Sequence, residues 1–234
     1  MDFLQFSIGA YNVTSFVIGI LLILAFVYSL RKSNSSDKLN LRLLGIFSLI
    51  SGVHTLKSVI ESVFFPPEGN SVSISDNYID FVNCTFVIIF CKIFYDLFST
   101  SSVLKTLVIV LGTLSLSFFA MTILGHENIT INNYNAYAVI FMKLMFISFC
   151  IGYVILQLKN EEAFNFKYLL LCVGLLTYFS FTLLDDIVVN FLLNNALQNN
   201  GVVYFMLSFI IFEFLFACFM FYFIWNFNKF KTNY

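Results

Sequence analysis

Ionisable side chains sit inside long apolar runs of this sequence, and a charge taken that far from water is costly enough to mark a candidate functional position. The second run carries His54, Lys57 and Glu61 at spacings of three and four, which puts them on one helix face. Ser48, Ser51, Thr55, Ser58 and Ser62 recur beside them at helical spacing, so this run has a wide polar face that has to turn away from lipid. The third run holds Asp80, Lys92 and Asp96, the fifth Lys143, the sixth Asp185 and Asp186, and the seventh Glu213.

Three kinds of chemistry fit such a set. One is a path that hands protons or ions between carboxylates, another is a pocket for a charged ligand, and the third is a static group of ion pairs that fixes helix registry. Lys92 and Asp96, at i,i+4 near a helix end, read as a local pair or a snorkelling lysine. The remaining residues, His54, Lys57, Glu61, Asp80, Lys143, Asp185, Asp186 and Glu213, are expected to meet in one buried polar cluster. Asp185 and Asp186 are adjacent and could titrate as a coupled carboxylate pair. No nucleophile–base pair accompanies them, so no enzyme activity and no catalytic residue is expected.

Metal and redox chemistry find little support. The two histidines, His54 and His126, fall in different segments, whereas a zinc site needs three or four ligands. Cys84, Cys91, Cys150, Cys172 and Cys218 all lie within apolar runs. No structural disulfide is expected, and the odd count leaves at least one thiol unpaired. No cofactor is assigned.

The elements that must position these groups are helices. The chain has 234 residues, 60% of them hydrophobic and 11% charged, and its mean hydropathy is +0.91. Soluble domains carry about 25% charged residues, so this surface is too apolar for water. With 10 Gly and 2 Pro and continuous rather than alternating apolar runs, a β-barrel is disfavoured. Runs of roughly 20 apolar residues cross a bilayer as helices, and seven are predicted at roughly 13–30, 42–65, 77–98, 103–124, 136–157, 168–192 and 202–227. The fold class is therefore all-α, a single domain of seven transmembrane helices joined by short polar loops. The first run lacks a small-residue cleavage site and reads as a retained helix.

Charge orients the spans. Arg31, Lys32, Lys38, Arg42, Lys105, Lys159, Lys167, Lys229 and Lys231 all fall on one side, while Asp2, Glu68, Asp76 and Glu127 fall on the other. The positive-inside rule then puts the N-terminus outside and the C-terminus in the cytoplasm, in a plasma or cytoplasmic membrane. Asn128-Ile129-Thr130 is a glycosylation triplet in an outer loop, with meaning only on a eukaryotic secretory route. The net charge of −1 gives no reason to expect a nucleic-acid partner. With short loops and a short tail, any signalling output is expected to pass through a separate membrane or cytoplasmic protein, or through a second copy of the chain.

Residues in three helices give the layout a family likeness. The third helix opens Asn77-Tyr78-Ile79-Asp80-Phe81-Val82-Asn83-Cys84-Thr85-Phe86, the sixth contains Gly174-Leu175-Leu176-Thr177-Tyr178-Phe179, and the seventh Phe209-Ile210-Ile211-Phe212-Glu213-Phe214-Leu215-Phe216-Ala217. The chain resembles the microbial (type 1) rhodopsins, whose third helix carries Arg-Tyr-x-Asp-Trp-x-x-Thr and whose seventh carries Asp-x-x-x-Lys before a Phe-Gly. Tyr78 and Asp80 match, Phe81 keeps an aromatic, Cys84 is close in shape to Thr, and Phe216-Ala217 stands for Phe-Gly. Asn77 replaces the Arg, Phe86 the Pro that ends the third-helix motif, and Phe209 the Asp. Glu213 occupies the place of the retinal lysine. A Schiff base needs an amine there, and the only Trp, Trp225, reads as an interfacial belt residue. The resemblance thus implies a rhodopsin-like, opsin-related protein without covalent retinal, acting as a sensor, a scaffold or a partner of another membrane protein. Transport or proton conduction through the buried carboxylates is the other reading, although the spans lack the interior Pro typical of broken transporter helices. In a rhodopsin-like layout Lys57 is the candidate partner of Glu213, with Asp80 close by and Lys143 as the rival.

The orientation has a direct check. A reporter cysteine at position 132, replacing Asn132, should react with an impermeant thiol reagent applied outside, and one replacing Ser35 should not. The reverse labelling pattern would overturn both the orientation and the family alignment.

Overall fold

The computed structural model describes residues 3–31, 38–64, 76–124, 137–159, 165–194 and 201–230. Among these every regular element is a helix: α1 Phe3–Arg31, α2 Lys38–Phe64, α3 Asp76–Leu97, α4 Ser102–Leu124, α5 Tyr137–Lys159, α6 Phe166–Asn194 and α7 Gly201–Asn226. In hydrocarbon no water is available to backbone N–H and C=O groups, so an apolar run must satisfy them within itself as a helix. All seven helices contain a stretch long and apolar enough to cross a membrane, and the chain is accordingly an integral membrane protein. The Asn128–Thr130 triplet lies outside the described residues.

Helix α1 starts about ten residues before the apolar run that predicts it. Polar side chains end a hydropathy window without ending a helix. Thr14 shows how, since its hydroxyl donates back to the Ala10 carbonyl at 2.8 Å. The α3–α4 connection is short because Ser101 caps α4. Its hydroxyl accepts from the Leu104 N–H at 3.4 Å and its carbonyl from the Lys105 N–H at 3.1 Å, an N-cap arrangement.

The helices fall into two compact units. The first comprises residues 1–74 and 191–226, and the second residues 75–190 and 227–234. In the first unit α1 packs on both α2 and α7. The α1–α2 crossing is set by glycine. A Cβ on Gly52 would lie 2.9 Å from the Gly19 carbonyl oxygen, and one on Gly19 would lie 2.6 Å from Leu56 Cγ. Lipid tails are as apolar as leucine, so helices in a bilayer gain little from hydrophobic contact and rely on close backbone approach. The α1–α7 contact is aromatic, with Tyr28 against Trp225 at 4.5 Å and Phe221 at 5.7 Å between ring centroids. Phe47 meets Phe216 at 6.2 Å across α2 and α7.

In the second unit α3 packs on α4 and α5, and α4 on α5. Gly112 of α4 faces Cys91 of α3 so closely that a Cβ would lie 2.6 Å from the sulfur. Buried phenylalanines fill the space between α3, α5 and α6. Phe90 meets Phe146 at 5.0 Å and Phe179 at 5.9 Å, and Phe146 meets Phe179 at 5.1 Å. Offset and edge-on geometries of this kind add to simple burial. Helix α4 presents Val103, Leu107, Ile109, Val110 and Leu114 outward, the apolar face expected against lipid.

The crossing at Gly52 is open to test. Gly52→Leu should lower the apparent melting temperature in detergent, an overpacking cost of about 1–3 kcal/mol. Gly9→Ala, where nothing lies within 4 Å of the new Cβ, should leave it unchanged or slightly raised. Equal behaviour of the two variants would show that the α1–α2 contact is looser than described.

Candidate functional site

His54, Lys57, Glu61 and Glu213 belong to the first unit, and Asp80, Lys143, Asp185 and Asp186 to the second. Within each unit the pairings follow helix geometry.

On α2, Lys57 reaches Glu61 one turn along, Nζ to Oε1 at 3.1 Å. Both side chains keep over a third of their surface exposed, 35% and 42%. The pair is closed over one turn of the same helix. The hydroxyl stripe beside it is answered by the helix itself. Ser48 donates to the Leu44 carbonyl, Thr55 to Ser51 and Ser58 to His54, at 2.9, 2.9 and 3.1 Å. The polar face of α2 therefore needs fewer outside partners than its composition suggests. Glu213 of α7 is half-buried and lies within electrostatic reach of the Tyr11 hydroxyl on α1, a neighbour on another helix that residue spacing does not reveal.

On α3, Lys92 and Asp96 form the expected i,i+4 pair at 2.6 Å. Lys92 Nζ also lies 6.0 Å from the centre of the Tyr95 ring, and Lys105 lies 5.2 Å from the same ring. Asp80 is held differently. Its Oδ2 accepts a hydrogen bond from the Thr122 hydroxyl of α4 at 3.0 Å, while that hydroxyl also lies 2.8 Å from the Phe119 carbonyl. Thr122 is the residue missed by sequence reasoning. The available signal was depth, since antiparallel α3 and α4 joined by a short turn put residue 122 level with residue 80.

The most enclosed charges meet between α5 and α6. Lys143 Nζ lies 2.5 Å from Asp186 Oδ2, with side chains 10% and 18% exposed. The same ammonium donates to the Thr182 carbonyl at 3.2 Å. Asp185, next to Asp186, is 8% exposed. Four points of contact follow one antiparallel seam: Lys143 with Asp186 and Thr182, Phe146 with Phe179, Cys150 with Cys172, and Gln157 with Asn165, whose N–H donates to Gln157 Oε1 at 2.8 Å. The buried residues of α5 recur at threes and fours from Met142 to Gln157, which is the stripe such a seam requires.

Positions that carry the rhodopsin resemblance are varied in setting. Leu175 and Ala217 are fully buried, Phe216 is nearly so, and Phe81 is 60% exposed. Among the described residues no set of three or more His, Cys, Asp or Glu could hold a metal ion. Chemically, the α5–α6 pair can anchor registry or exchange a proton, and the Asp80–Thr122 contact can fix α3 on α4. No protein-family model matches this chain, nor does any characterised protein or solved structure.

A double-mutant cycle separates the pair from its surroundings. Lys143→Met and Asp186→Asn should each cost about 3–5 kcal/mol by leaving one buried charge unanswered. Lys143→Met with Asp186→Asn together should recover much of that loss, read as thermal stability in detergent. Additive losses would show that the two groups act independently.

Proposed function

We propose that this protein is a rhodopsin-like, opsin-related membrane protein without covalently bound retinal, acting as a sensor, scaffold or partner of another membrane protein in a plasma or cytoplasmic membrane. The observation that supports this best is how the intramembrane charges are used. Lys57 with Glu61, Lys92 with Asp96 and Lys143 with Asp186 are each closed over one helix turn or one helix pair, and Asp80 is tied to Thr122. Lys143–Asp186 and Asp80–Thr122 tie neighbouring helices together, which a receptor or scaffold needs, while the other two pairs are satisfied within one helix. The resemblance supplies the rest, with Glu213 standing where the retinal lysine would be. We assign no enzymatic role. The lipid bilayer is one partner, and a membrane or cytoplasmic protein, or a second copy of this chain, is the other.

Transport or proton conduction remains the second reading, favoured by the neighbouring, largely buried Asp185 and Asp186. Three measurements on the intact protein distinguish the readings. Purified protein given all-trans retinal should develop no red-shifted band. A band bleached by hydroxylamine would instead point to a Schiff base on Lys57 or Lys143. Cross-linking and pull-down from native membranes should return one stoichiometric protein partner or a dimer. Proteoliposomes loaded with a pH-sensitive dye should leak protons no faster than empty vesicles, and a flux abolished by Asp185→Asn would replace the sensor reading with conduction.

A further inference from the structure

The α5–α6 seam carries a feature that none of the charge chemistry uses. Cys150 and Cys172 are both fully buried, both reduced, and close enough for one thiol to hydrogen-bond the other. The flanking contacts place them opposite each other independently. On one side Phe146 packs on Phe179 at 5.1 Å. On the other, Asn165 bonds Gln157 at 2.8 Å, seven residues beyond each cysteine on its own helix. A spacing of seven returns to the same helix face, so the seam brings residues 150 and 172 together whenever it forms. The other cysteines are differently placed. Cys91 faces the Val108 carbonyl of α4 at 3.9 Å, while Cys84 and Cys218 lie on α3 and α7.

We propose that Cys150 and Cys172 are a redox-active pair that hydrogen peroxide, a small hydroperoxide able to enter the membrane interior, converts to a reversible disulfide stapling α5 to α6. In the first step one sulfur, losing its proton, attacks a peroxide oxygen. The O–O bond breaks, a sulfenic acid forms, and the departing hydroxide takes up the proton as water. In the second step the other sulfur attacks the sulfenic sulfur. The S–S bond forms, the S–O bond breaks, and the hydroxyl leaves with the second thiol proton as another water. The two thiols give up two electrons and two protons, and one hydrogen peroxide becomes two waters. A sulfenic acid with a thiol beside it is captured as a disulfide before it oxidises further. The staple forms at the middle of the seam, between the aromatic pair and the Gln157 contact, and holds the α5–α6 register that Lys143 and Asp186 also set. A reduced dithiol reverses it by exchange. Disulfide chemistry at this pair is separate from the sensor reading, because it is read on the purified chain without any partner.

The test uses full-length protein in membranes, with Cys84, Cys91 and Cys218 replaced by Ser so that only the pair remains. After peroxide treatment, denaturation and alkylation, both cysteines should be blocked. The intact mass should be lower by two hydrogens, and dithiothreitol should restore both alkylation sites. In the same background, Cys150→Ser should leave Cys172 unable to form an intrachain bridge. Wild-type protein with all five cysteines should show the 150–172 linkage by peptide mass, so that the result does not depend on the variants folding. Two alkylatable thiols after peroxide, or a mass gain from sulfinic acid that dithiothreitol does not reverse, would overturn the proposal.

Discussion

An ammonium group held between two helices deep in an apolar protein must be answered locally, and Lys143 is that group here. Solvation cannot be shared with water at this depth, so a carboxylate and a carbonyl have to replace it. Asp186 and the Thr182 carbonyl do so from α6. Both acceptors sit on one short stretch of one helix, and the lysine can reach them together in only one register. Once that register is set, Phe146 lies on Phe179, and Phe90 of α3 closes against both. The pair contributes less as net stabilisation than as selection among arrangements. A well-packed apolar pair of similar volume would often be as stable, but it would tolerate a slip along the seam that the ion pair penalises.

The first unit solves the same problem by a different route. Its helices carry the Lys57–Glu61 pair within a single helix turn. They use proximity instead, with α1 and α2 meeting backbone to backbone at Gly19 and Gly52. Van der Waals contact grows as helices approach, and glycine is the residue that lets them do so. Tyr28 then locks α1 to α7 through Phe221 and Trp225. The Arg31 guanidinium lies 6.0 Å from the Tyr28 ring centre, which links the positive charge at the end of α1 to the aromatic contact that packs it. Lys167 is treated alike in the second unit, buried with its ammonium 4.4 Å from the Phe227 ring centre.

The seven helices were legible in the sequence because hydrocarbon leaves an apolar run few other conformations. Polar side chains within the helices were legible as candidates for the same reason. What could not be read was partnership. Lys57 meets its i,i+4 neighbour Glu61 at 3.1 Å, a contact that helix spacing alone supplies. Proximity along one helix is guaranteed by the chain, and it competes with any partner on another helix. Lys143, which has no acidic residue at i,i+3 or i,i+4, had to find its carboxylate elsewhere and did so on α6. That rule, local acid first and cross-helix acid otherwise, accounts for Lys57, Lys92 and Lys143 together. The Thr122 contact to Asp80 escaped because threonine is too common in apolar helices to signal, and the facing thiols escaped because cysteine reads as a small hydrophobe.

The placement of charge also bears on what kind of work the protein can do. A conducting path needs groups that exchange partners in sequence, so each must be held weakly enough to let go. Lys57–Glu61 and Lys92–Asp96 are closed within single helices, and breaking either would move side chains without moving a helix. Lys143–Asp186 differs, because separating it releases α5 from α6. A change of charge at this pair would therefore loosen the α5–α6 seam, and Cys150 and Cys172 lie on that same seam. The most enclosed of the three ion pairs and the facing thiols thus bear on the same helix contact.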